Sequence, residues 1–164
     1  MTHDLSLRRS GRLLVALGVA LITVFVLLRL TAMFGPAIVG GYIAYPESGI
    51  IERTSALFPL WLDQAASYWK VSHSTAAYVY VSSVVMCALW AVVAILLLAR
   101  ARYARIALFG LMALALLYPI IFRLLLGREL RLDTLPYDTV VLCVLLAIIF
   151  TRPSVRGLFA REDG

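Results

Sequence analysis

Four apolar runs dominate the chain, each separated from the next by a short polar stretch or by one rich in glycine and proline. The first covers residues 13–34 behind Arg8, Arg9 and Arg12, the second 74–99 and the third 106–126. An α-helix rises about 1.5 Å per residue, so roughly 20 apolar residues cross a hydrocarbon layer about 30 Å thick. The first three runs meet that length. The last is continuously apolar only over residues 140–151, roughly 18 Å of helix, and must begin earlier, near Asp133 or Thr134, with Pro136 in its first turn. The pattern predicts an all-α polytopic membrane protein in one domain over 1–164, with four transmembrane helices at 13–34, 74–99, 106–126 and 134–151.

Residues 35–73 break this rhythm. Gly35, Pro36, Gly40, Gly41, Pro46 and Gly49 predict an irregular outer loop as far as residue 53. Over 54–70, Leu57, Trp61, Ala65 and Tyr68 recur at helical spacing, with Phe58, Leu62 and Trp69 beside them and Asp63, Gln64 and Lys70 as polar positions. This predicts a short amphipathic outer helix, resting at the headgroup level or packing on the protein's own helices. Pro59 is tolerable near the start of such a helix, and Ser72 is placed to cap the next. Pro119 should bend the third span, and Pro153 should close the fourth.

The chain is 63% hydrophobic and 15% charged, more apolar surface than a soluble core of 164 residues could hide. Its net charge of +6 is scattered between apolar runs, which gives no support to nucleic-acid binding. The charge reports orientation instead. Arg8, Arg9, Arg12, Arg100, Arg102, Arg105, Arg152, Arg156 and Arg161 fall on one side, against Arg53, Lys70, Arg123, Arg128 and Arg131 on the other, which predicts cytoplasmic N and C termini. Lys70 is the single lysine, and this preference for arginine points to a GC-rich bacterial source and so to the inner membrane. The first run is too long for the apolar region of a signal peptide, about 7 to 15 residues, and is expected to stay as a membrane helix.

Candidate chemistry is sparse. Cys87 and Cys143 lack CxxC spacing and nearby histidines, and His3 and His73 lie far apart at the ends of apolar runs. No nucleophile elbow, Walker loop or dinucleotide fingerprint occurs, so no catalytic residue, metal or cofactor is expected. Tyr80, Ser83, Cys87, Trp90 and Ala94 share one mildly polar face of the second span, suited to helix contact inside a membrane or to a lipid or quinone pocket. Trp61, Tyr68, Trp69, Tyr80, Ser83 and Trp90 are therefore the candidate partner or lipid contacts. Arg29 and Arg123 each lie about 24 Å along their runs, within snorkelling reach of the outer headgroups. Asp138 falls at a similar level and is expected to pair with Arg29 or Arg123, or else to cap its own helix and face water.

Residues 11–19 (GRLLVALGV) and 151–159 (TRPSVRGLF) resemble the opening and closing segments of small four-span bacterial inner-membrane proteins of uncharacterised function. The resemblance covers those two stretches and implies the four-span layout, with no activity attached. Membrane thiol oxidoreductases of the vitamin K epoxide reductase type share the span count, but their CxxC is missing. The expected role is a non-catalytic inner-membrane accessory or subunit protein docked on a larger membrane partner. The alternatives are a small oligomeric transporter or a lipid- or quinone-binding protein, and an immunity-type protein against a membrane-active toxin.

Overall fold

The computed structural model describes residues 2–44, 49–125 and 136–159, and among these the chain is helical with no strand. Six helices follow in order: α1 (Thr2–Ala44), α2 (Ile50–Trp69), α3 (His73–Leu98), α4 (Ala104–Leu125), α5 (Tyr137–Phe150) and α6 (Pro153–Phe159). Three of them contain a stretch long and apolar enough to cross a membrane: Arg9–Gly35 in α1, His73–Leu98 and Ala104–Leu124. A fourth arises if α5 and α6, which meet at 77°, are taken as one bent span. The all-helical character read from the hydropathy pattern is thus present, with three to four helices long and apolar enough to cross a membrane.

The loop before α2 differs from expectation. Helix α1 continues through Gly35 and Pro36 to Ala44 instead of giving way to irregular chain. Glycine costs a helix backbone entropy and proline one i→i−4 hydrogen bond, penalties that helices in a membrane tolerate more often than those in water. Helix α2 likewise starts at Ile50, which leaves Pro59 in its interior. The carbonyl freed by Pro59 belongs to Ser55, and both residues are exposed, so water can satisfy it.

Two helices end on the same device. The N–H groups of Lys70 and Val71 bond to the carbonyls of Ser67 (3.2 Å) and Ala66 (3.0 Å), and those of Arg100 and Ala101 to Leu97 (3.2 Å) and Leu96 (3.0 Å). These are the paired bonds that satisfy the last carbonyls of a helix when the next residue turns left-handed. Lys70 (φ 52°) and Arg100 (φ 53°) hold that conformation without being glycine. Only three residues separate α2 from α3, and Ser72 caps α3 as its position suggests, its hydroxyl accepting the Thr75 N–H at 3.2 Å.

The contacts gather in two compact units, Met1–Phe25 with Leu89–Gly164, and Val26–Ala88, where the hydropathy pattern suggests one domain. Within the first unit, Val15, Val19 and Ile22 of α1, Leu108, Met112 and Ala115 of α4, and Leu142, Leu146 and Phe150 of α5 are buried at helical spacing. Positions between them, such as Leu13, Leu17, Leu114, Leu117, Val141 and Ile148, are equally apolar yet exposed, a surface matched to hydrocarbon. Gly11 and Gly18 lie on the inner face of α1. A Cβ at Gly11 would collide with the Ser154 carbonyl, and one at Gly18 with the Phe150 ring, so close approach of α5 and α6 to α1 requires both glycines.

Within the second unit, Leu62 and Ala66 of α2 join Ala76 and Tyr80 of α3 in a buried cluster, flanked by Met33, Phe58, Val71 and Ala77. The amphipathic helix therefore packs on the protein's own helices along the row Phe58, Leu62, Ala66. That row lies one position beyond the expected Leu57, Trp61, Ala65 stripe.

Candidate interaction surfaces and polar sites

The α3 face expected to carry contacts is used inside the chain. In the second unit, Tyr80 is 6% exposed, stacks edge-on against Phe58 with centroids 5.8 Å apart, and donates from Oη to the Met33 carbonyl at 3.4 Å. Cys87 is buried, and half-buried Ser83 returns its hydroxyl hydrogen to the Val79 carbonyl of its own helix at 2.7 Å. In the first unit, Trp90 is 1% exposed and meets Phe25 edge-on at 6.1 Å. Its indole N–H has no hydrogen-bond partner among the described residues. Tyr80 and Trp90, expected as partner or lipid contacts, are thus covered by the protein's own side chains, because large aromatics fill the space between helices better than any other residue on α3. Trp61, Tyr68 and Trp69 lie on α2, but their side chains fall outside the described residues.

Several of the described hydroxyls elsewhere bond back to their own helices. Thr23 donates to the Val19 carbonyl (2.9 Å) and Thr151 to the Ala147 carbonyl (2.7 Å), which removes free hydroxyls from apolar surroundings at little cost. Asp63 on α2 approaches His73 Nδ1 at 2.6 Å, both side chains more than half exposed. Neither sequence neighbourhood signals this pair, because only the tight α2–α3 turn brings the two residues together.

Arg29 is half-buried in the second unit, and Arg123 is half-buried in the last turn of α4 in the first. Asp138 is exposed in the first turn of α5, where its carboxylate accepts the Thr139 N–H at 2.8 Å. Among the described residues Arg123 makes no ion pair with Asp138. A carboxylate at a helix start is stabilised by the free N–H groups and dipole there.

Arg105 was legible in the sequence only as part of a basic turn. Its Nη2 donates to the carbonyl of Phe150, the last residue of α5, at 3.2 Å, and its Nε is buried without a partner among the described residues. Phe150 itself is fully buried. Gly11 and Gly18, seven residues apart on one helical face, carried a usable signal, since paired small residues at helical spacing mark close helix approach. Among the described residues no group of three or more His, Cys, Asp or Glu is placed to hold a metal ion. Comparison with protein-family models, with curated proteins and with solved structures finds no match to this chain.

Proposed function

We propose that this chain is a non-catalytic accessory subunit of a bacterial cytoplasmic membrane, docked through its helices on a larger membrane protein. In this reading it crosses the bilayer four times with both termini cytoplasmic. The fourth crossing is made by α5, whose 14 residues give about 21 Å of helix. Helix α2, which carries exposed Glu52, Asp63 and Ser67, lies at the outer surface.

One observation carries the proposal. The hydroxyls of Thr23, Ser82 and Ser83 bond back to carbonyls of their own helices, that of Tyr80 is spent on the Met33 carbonyl, and the described outward side chains of the spans are largely apolar. A transport path or active site needs polar groups facing a substrate. A subunit needs an apolar outer face, and the exposed leucines, valines and isoleucines of the spans support that reading.

The test is affinity purification of the full chain from membranes in mild detergent. Recovery of a larger membrane protein at fixed stoichiometry supports the reading. A homo-oligomer with no companion rejects it in favour of a small transporter.

A further inference from the structure

At one end of the first unit, α1 begins, α3 turns into α4, and α5 bends into α6. Two contacts draw these segments together. Gly11 of α1 lies directly against the Ser154 carbonyl and the Leu158 side chain of α6, and Arg105 of α4 holds the Phe150 carbonyl at the bend. Arg9 and Arg12 flank Gly11 in the chain, Arg152 and Arg156 flank Ser154, and all four are exposed.

This end concentrates like charge. The Arg156 charge acts directly on Arg105. Among the described side chains, the only carboxylate of this unit is Asp138, at the opposite end of α5. The Gly11–Ser154 contact thus brings two arginine-bearing segments together with no described carboxylate of this unit at that end, an arrangement that favours a bound anion.

The depth of the cluster selects the anion. Arg9, Leu98 and Ala104 are limits of three apolar stretches long enough to span a bilayer. Exposed Tyr103, with the Arg102 guanidinium 5.6 Å from its ring centroid, is the kind of residue found among lipid headgroups. Because α6 stands at 77° to α5, an α5 that crosses the membrane sends α6 along its surface, with Arg152 and Arg156 at the phosphate level. The guanidinium fork matches phosphate oxygens two at a time. We propose that this arginine-lined end binds the headgroup of an anionic phospholipid, with Arg12, Arg152 and Arg156 taking the phosphate oxygens. The inference rests on membrane insertion of the chain and is independent of any protein partner.

The full chain, purified in a neutral detergent, is titrated with phosphatidylglycerol, phosphatidylcholine or inorganic phosphate, and bound lipid is read by native mass spectrometry. Phosphatidylglycerol should bind in preference to phosphatidylcholine, and inorganic phosphate should not compete at equal concentration. In R152Q/R156Q the preference should fall about fivefold for each guanidinium removed, whereas R152K/R156K should keep most of it. Equal binding of the two lipids, or full selectivity in the glutamine variant, overturns the proposal. Displacement of the lipid by equimolar inorganic phosphate overturns it as well. Resistance to alkaline extraction is measured in parallel. A chain released from the membrane by that wash fails the membrane reading itself, whereas a retained chain without lipid preference fails only the headgroup site.

Discussion

Arg105 Nη2 donates to the carbonyl oxygen of Phe150 at 3.2 Å, so a side chain from the first turn of α4 satisfies a carbonyl at the last residue of α5. The last four carbonyls of any helix lack intrahelical partners, and a cation there also complements the helix dipole. The contact fixes where α5 stops, and the chain turns there by 77° into α6.

Replacing Arg105 by Met should therefore lower stability by about 1–3 kcal/mol, the range for losing a hydrogen bond to a charged group. Thermal unfolding in detergent measures it, and Arg105→Lys should recover part of the loss. A Met variant as stable as the parent would show that the contact is incidental.

Gly18→Ala should cost about 1–3 kcal/mol, because the new methyl group meets the buried Phe150 ring and either the ring or α1 must move. Adding Phe150→Leu should restore part of the stability. Gly110 is the control: a Cβ there meets nothing within 4 Å, so Gly110→Ala should be neutral or stabilising by up to about 1 kcal/mol. Equal effects at both glycines would argue against close packing of α5 on α1.

Asp138→Ala should cost about 0.5–1 kcal/mol through loss of its bond to the Thr139 N–H. Asp138→Arg should cost more, since it sets a cation against the positive end of α5, and Arg123→Asp should not rescue it. Rescue in the double variant would restore the ion pair that the sequence suggested.

For topology, single cysteines placed at Ala101 and Gly164 should resist a membrane-impermeant thiol reagent in intact cells, while one at Ser48 should react. Cys87 and Cys143 are buried and should contribute little background. Labelling at Gly164 from outside would reverse the orientation.

The alternation of apolar runs and arginine-rich breaks determined by itself that the chain is helical with stretches long and apolar enough to span a membrane, because run length against bilayer thickness needs no tertiary information. The same holds for the Ser72 cap, which depends on a neighbour three residues away. Tertiary structure alone decided what covers Tyr80 and Trp90, since a face that is polar and aromatic in sequence suits a partner or a neighbouring helix equally well. It also carried α1 through Gly35 and Pro36, which local sequence reads as breakers. The bond from Arg105 to Phe150 joins residues 45 apart in the chain. Local sequence records that a guanidinium and a helix end exist, whereas their meeting follows from how α4 and α5 pack.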